Sequence, residues 1–342
     1  MSKLSFFTNS DQKKIVKKRS GDSKFGQHIQ LFNASKPIYE QLQHLDVDYV
    51  LFGVSEDVGV FANRGLPGTY YTWQAVIKEL LNTEANHFNH AERLAVLGHL
   101  DFYKEHETFG VLNYQKAGDL KKARLVVSEI DKQVNKIVHD IVKAGKIPII
   151  IGGGQNNAYG CIKGTSLALK SKINAINLDA HTDFRNEEGR HSGNGFTYAF
   201  NEGFLDKYFI FGLHEDHTSQ RILNKIKKLS KRLAYTTFES IYIRKETKFM
   251  KECDRALQFI GQRPFGLEID CNAIEGIPSR QMTPSGISPN RAREFVNFFG
   301  KHKKVKYLHI SEAAIKNSKK NRINSARLLS NLITDFMRAK SV

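Results

Sequence analysis

The stretch INLDAHTDFR sets Asp179, His181 and Asp183 two residues apart, just where an apolar run ends. Alternate side chains of an extended chain leave the same face, so these three can converge. Carboxylate, imidazole and carboxylate on one face suit a hard or borderline divalent metal such as manganese. The competing reading is a helix cap beside an unrelated loop histidine. GLEID repeats the spacing with Glu268 and Asp270 at the end of a second apolar run. Alone, that pair reads as surface acid at a loop edge. Together, the two sets crowd four carboxylates into one small space, and like charges so close need cations, protons or strong donors to coexist. A metal is the simplest neutraliser.

Positioning such groups takes strands that end side by side. Apolar runs at 47–54, 93–102, 173–180, 207–213, 264–270 and 304–311 read as strands, and KIPIIIGGG (146–154) begins another. Between them, apolar residues at helical spacing predict a helix over 121–143, closed by Gly145. Further helices are expected at 157–170, 217–230, 249–261, 289–300 and 321–338, and one from about Tyr70, with the lone Trp73 as helix packing. Strands alternating with helices imply a largely parallel sheet covered on both faces, a three-layer α/β/α fold. In such sheets chemistry gathers beyond the carboxyl ends of the strands, where every polar cluster of this sequence falls. There is no internal repeat or low-complexity linker, so residues 46–342 are expected as a single domain. Residues 1–45 are expected as a polar N-terminal arm or added helix.

Composition narrows the class. Of 342 residues 40% are hydrophobic, enough for a sizeable core, and no run of about 18 apolar residues suggests a membrane span. The first 22 residues lack a secretory signal pattern. Three cysteines lie far apart without CxxC spacing, which favours free thiols in a reducing cytoplasm. The formal net charge is +17, spread over KKIVKKRS near the start, KIKKLSKR at 225–232, KHKKVK at 301–306 and KNSKKNR at 316–322. No nucleic-acid module accompanies it, so a solvated lysine surface is expected rather than nucleic-acid binding. An anionic small substrate would also benefit from this field.

The motifs IIIGGGQNNAYG, INLDAHTDFR, GRHSGNGFTYA, FGLHEDHTSQ, MTPSGISP and LHISEAA, in that order, resemble the ureohydrolases, the family of arginase, agmatinase and formimidoylglutamase. The resemblance runs from about residue 50 to 330 and is nearest to formimidoylglutamase-like members. It implies an arginase-like catalytic domain, a two-manganese centre, and hydrolysis of a C–N bond at an amidine or guanidine carbon. It also implies homo-oligomers, trimers or hexamers. Carried over residue by residue, one metal is held by position 155, Asp179, Asp183 and Glu268, and the other by Asp179, His181, Glu268 and Asp270.

Two departures follow from the same alignment of motifs. Gln155 stands where the family's GGGH supplies histidine, and Glu268 where most members have aspartate. A carboxamide oxygen is neutral and less basic than imidazole nitrogen, so Gln155 is expected to weaken the first site and leave the second nearly intact. The resemblance further gives Asp183 the reacting water, His191 the proton shuttle and Glu312 the cationic amidinium. Read without it, His191 is a polar loop histidine and Glu312 a strand-end acid. The proline that often follows the Glu312 motif is missing. Arg185 is placed to grip a substrate carboxylate, with Asn194 and Arg64 as further polar contacts, and this set favours N-formimidoyl-L-glutamate. The alternatives are a metal-depleted, catalytically weakened member and an arginase- or agmatinase-type guanidino hydrolase. His99, His106, His214, His217 and His309 have no partner at metal-ligand spacing and are expected to be structural or surface residues.

Overall fold

Runs of apolar, largely β-branched residues become the central strands. The structure, a computed structural model, describes residues 3–279, 283–315 and 319–340. The first residue of MTPSGISP and the start of the lysine run at 316–322 lie outside the described residues. Among the described residues ten strands form one sheet: β1 (Leu4–Phe6), β2 (Gln30–Leu31), β3 (Tyr49–Ser55), β4 (Leu94–Asp101), β5 (Ile147–Ile151), β6 (Ile173–Leu178), β7 (Leu205–Leu213), β8 (Leu233–Thr237), β9 (Phe265–Asp270) and β10 (Val305–Ser311). Their order is β1-β4-β3-β5-β10-β9-β6-β7-β8, with β2 also on β4. Every pairing is parallel except β1 with β4.

Parallel strands must be joined by crossovers, and these put helices on both faces. The period of two is visible in the core: Leu51, Ile149 and Ile269 face one layer, Phe52, Ile150 and Ile210 the other. The first layer is built from helices Thr72–Leu81, Phe249–Ile260, Pro289–Gly300 and Lys319–Ala339. The second contains Ala117–Lys143, Asn157–Leu169 and Gly195–Asn201. This is the expected three-layer α/β/α fold. Trp73 packs flat over Gly53, where a Cβ would meet the indole at 2.4 Å.

Residues before 45 contribute more than an arm. β1 and β2 both hydrogen-bond to β4, and helices Asn9–Ile15 and Ile38–His44 flank them. Thr8 caps the first helix through a reciprocal box with Asp11, the arrangement that satisfies two orphan donors at once. Among the described residues no helix is long and apolar enough to cross a membrane.

The longest helix, Ala117–Lys143, lies against Asn157–Leu169, the helix that follows the glycine turn. Gly160, against Val134, and Gly164 set their approach. A Cβ on Gly164 would meet the Asn135 carbonyl oxygen at 2.6 Å and the His139 nitrogen at 3.0 Å, both backbone atoms. Alanine is favoured over glycine in a helix by roughly 0.5–1 kcal/mol, while overpacking costs about 1–3 kcal/mol. Backbone cannot swing aside as a side chain can, so the clash should win. Gly164→Ala is therefore expected to lower the free energy of unfolding, read from a denaturant titration, despite its better helix propensity.

Candidate metal centre and cleft

Four neighbouring strands, β5, β10, β9 and β6, end at the same edge and supply the polar cluster. β6 stops at Leu178 and delivers Asp179, His181 and Asp183; β9 ends in Asp270; β10 passes straight into Glu312; β5 gives way to Gly152, Gly153, Gly154 and Gln155. Sequence separations of more than a hundred residues thus collapse to neighbouring loops.

Asp179, Asp183 and Asp270 bring one carboxylate oxygen each to within 4.8 Å of the others. Asp179 is held in place by the His181 backbone N–H (2.8 Å) and by Asn177 Nδ2 (2.9 Å). Asp270 accepts from the Asn272 backbone N–H at 2.6 Å. Burial, followed by the charges of Asp179, Glu312 and Asp183, pushes the Asp270 carboxyl well above the ordinary aspartate range. Three hard oxygen donors crowded together fit a hard divalent cation. His181 lies beside them, its Nδ1 3.4 Å from Asp179 Oδ1.

Asp183 and Glu312 both adopt left-handed backbone conformations, φ 43° and 61°. Such a conformation is unfavourable for residues other than glycine and persists where the surroundings over-determine it. Around Glu312 they do: its N–H donates to the Gly153 carbonyl (3.0 Å), and its Oε1 accepts from the Gln155 N–H (2.9 Å).

A cleft of about 540 Å3 opens over the cluster. Asp183, Asp270, His181 and Glu312 line it, as do Asn63, Arg185, Glu188, His217, Arg221 and Asn272. Arg185 donates to Asn63 Oδ1 (3.0 Å) and Glu188 Oε1 (3.3 Å). Asn194 is buried, with both amide atoms committed to its own loop, to Arg190, His191, Asn186 and Gly189. Arg64 is exposed with φ 61°, and it is the adjacent Asn63 that reaches the cleft. His191 is fully buried. Its Nδ1 accepts from the Gly193 N–H, which puts the proton on Nε2, and that nitrogen donates to Glu188 at 3.1 Å.

Gln155 and Glu268 lie deeper. Both are fully buried, and Gln155 Nε2 donates to Glu268 Oε2 at 3.1 Å. Glu268 also accepts from Tyr307 Oη (2.7 Å) and His309 Nδ1 (2.6 Å).

Three residues set aside or unremarked in the sequence belong to this site. His217 lines the cleft, its ring stacked on His181 with centroids 5.1 Å apart, and Arg221 sits on the first turn of helix Gln220–Lys228. Their signal was position alone, just past the carboxyl end of β7. The third, Glu56, is a buried acid after β3 that fixes the glycine turn. It accepts from the Gly154 N–H (2.8 Å), Asn157 Nδ2 (2.9 Å) and the Gly59 N–H (3.0 Å).

The arginase family model matches residues 48–338, and the chain belongs to that family. It is a hydrolase acting on C–N bonds in linear amidines. Its sequence is similar to the formimidoylglutamase of Streptococcus gordonii, 26% identical over 279 residues, or 79% of this chain and 78% of that one. The Streptococcus pyogenes formimidoylglutamase is 26% identical over 253 residues, 71% of this chain and 70% of that one. Among solved structures, formimidoylglutamase from Bacillus subtilis superposes with a TM-score of 0.73 at 17% identity, covering 95% of this chain and 94% of that one. Trypanosoma cruzi formiminoglutamase with Mn2+2 gives 0.69 at 15% identity, covering 92% and 99%.

Burial pushes the Glu56 carboxyl up to about 7 from an ordinary 4.5, against its three donors. A folded-state pKa above the unfolded one means the native protein holds this proton more tightly. Its stabilising effect is full below pH 4.5 and is lost as pH rises to about 7. At 1.36 kcal/mol per unit the change is on the order of 3 kcal/mol. Denaturant titrations of the wild type and Glu56→Gln across this window should show the wild type losing stability relative to the variant by that order.

Proposed function

We propose that this chain is a formimidoylglutamase, converting N-formimidoyl-L-glutamate and water to L-glutamate and formamide in histidine breakdown. The observation that carries the reading is the cleft itself, which sets an acidic, metal-suited floor against an arginine wall. Asp179, Asp183 and Asp270 would hold a divalent ion, with His181 beside them. Bound there, manganese supplies Lewis acidity and a water of lowered pKa.

The rest is done by side chains. Glu312 lies in the cleft wall and pairs with the amidinium, so that the reacting carbon is oriented before attack. Asp183 holds the attacking water by hydrogen bonding. The proton lost by the attacking water is the one the departing nitrogen needs; Glu188 can take it and return it, and His191, not itself the carrier, holds that carboxylate at the cleft through its Nε2–H. Arg185 grips a glutamate carboxylate in the geometry that guanidinium favours, and Asn63 fixes the guanidinium. Asn194 and Arg64, the other substrate contacts expected from the sequence, act in this reading by shaping their loops. The three free, buried cysteines support a cytoplasmic setting, and a trimer or hexamer is the assembly we favour.

Purified chain reconstituted with manganese should hydrolyse N-formimidoyl-L-glutamate in preference to arginine and agmatine; a reversed preference would overturn the substrate assignment. Losing a charge-assisted bidentate contact is worth about 1.5–3 kcal/mol, so Arg185→Ala should raise KM roughly 10- to 100-fold for the glutamate substrate. A neutral residue in the aspartate cluster gives an independent check. Asp270→Asn removes the cost of burying or protonating this acid at neutral pH, so the metal-free protein should melt higher than the wild type. Added manganese should then shift its Tm far less than it shifts the wild type's.

A further inference from the structure

We infer that the ion position assigned to residue 155 has been replaced by a sealed hydrogen-bond lock, built by β10 as much as by Gln155. The inference rests on the metal-hydrolase reading above and concerns how many ions that site takes. Glu268 is the side chain that would have to face both ions, yet both of its oxygens are engaged by protein donors. Tyr307 Oη donates to Oε1 at 2.7 Å, while His309 Nδ1 (2.6 Å) and Gln155 Nε2 (3.1 Å) donate to Oε2. Ser311 Oγ donates to Gln155 Oε1, so the amide is held at both ends. All five side chains are fully buried, whereas Asp183 and Asp270 line the open cleft.

The lock follows from register. Tyr307, His309 and Ser311 alternate along β10 and stand opposite Gly266, Glu268 and Asp270 of β9. Alternate residues share a face, so β10 presents three polar groups in a row to the β9 acids. Gly266 makes this possible, because a Cβ there would lie 2.1 Å from the Tyr307 ring. The glycine lets the phenol cross the neighbouring strand and reach Glu268. His309 Nε2 has no hydrogen-bond partner among the described residues, so this imidazole is fixed through its single bond to Glu268. Three donors neutralise a buried carboxylate as an ion would, and a donor engaged in this way is not a ligand.

Restoring the family histidine alone should therefore fail, because Tyr307 and His309 still hold Glu268. The test counts ions on the full chain after chelator treatment and manganese titration, by equilibrium dialysis with elemental analysis, together with the electron paramagnetic resonance spectrum. The wild type is expected to bind one ion tightly and give an uncoupled single-ion signal. Gln155→His is expected to do the same. Gln155→His combined with Tyr307→Phe and His309→Leu is expected to take up a second ion with exchange-coupled lines. Two tight ions in the wild type, or in Gln155→His alone, overturn the inference. A folded triple variant that stays at one ion overturns the role given to β10. Should the triple variant not fold, the wild-type and single-variant counts still decide. One ion with no amidine hydrolysis sinks the functional reading and leaves the lock; two ions with full hydrolysis do the reverse.

Discussion

Buried negative charge is the constraint from which the rest of this molecule can be argued. Asp179, Asp270, Glu268 and Glu312 are each at most 2% exposed, and Glu56 is fully buried behind the glycine turn. An ionised carboxylate taken out of water must find a cation, a proton or a set of donors. The protein uses all three answers at one sheet edge. The aspartate cluster suits a cation, Glu56 is pushed towards keeping its proton, and Glu268 is surrounded by donors. The architecture serves this division. A parallel sheet puts all its carboxyl ends at one edge, and the order β5-β10-β9-β6 makes the four acid-bearing loops adjacent.

The loops then have to turn sharply without losing their hydrogen bonds. Gly152 and Gly153 take positive φ (93° and 72°), which lets backbone N–H groups of the turn point at Glu56 and Glu312. Asp183 and Glu312 hold the same half of conformational space without glycine's freedom. Each therefore relies on its neighbours, and the Gly153 to Glu312 backbone bond ties one strained position to the flexible one beside it. Arg190 does comparable work for the loop carrying His191. It is buried between the rings of Tyr159 and Tyr198, paired with Asp131, and bonded to the Asn156 carbonyl and Asn194. Two separate loops are thereby pinned to the long helix Ala117–Lys143, on which Asp131 lies.

How much of this could be read from residues alone follows from what periodicity encodes. The strands β3 to β7, β9 and β10 and the long helix were legible because buried runs and helical spacing are local properties. β8, LAYTT, carries little apolar signal and was missed; β1 and β2 are two or three residues long and gain their identity from β4. At the site, the spacing in INLDAHTDFR and GLEID points to Asp179, Asp183 and Asp270 as neighbours, and their carboxylate oxygens approach within 4.8 Å of one another. Spacing says which face a side chain leaves, not what receives it. Glu268 shares a face with Asp270, yet it meets β10 donors, whose sequence offers no cue that they lie opposite. His217 and Arg221 are invisible for the same reason, being one wall of a cleft whose other walls come from segments distant in sequence, from Asn63 to Glu312.

The glutamine at 155 makes chemical sense in that setting. A carboxamide carries a donor and an acceptor on one carbon and stays neutral at any working pH. Here it is asked to donate to a carboxylate while accepting from a hydroxyl, and all three side chains are fully buried. Imidazole could be asked for the same pair of bonds, but its two nitrogens diverge across a ring and its charge is free to change near neutral pH. A second imidazole beside Glu268 and His309 would add another ring whose donor and acceptor ends can exchange. An amide removes that variable. On this view Gln155 is the residue that suits a buried, metal-independent arrangement of donors, and the open aspartate cluster above it is where a cation remains the fitting neutraliser.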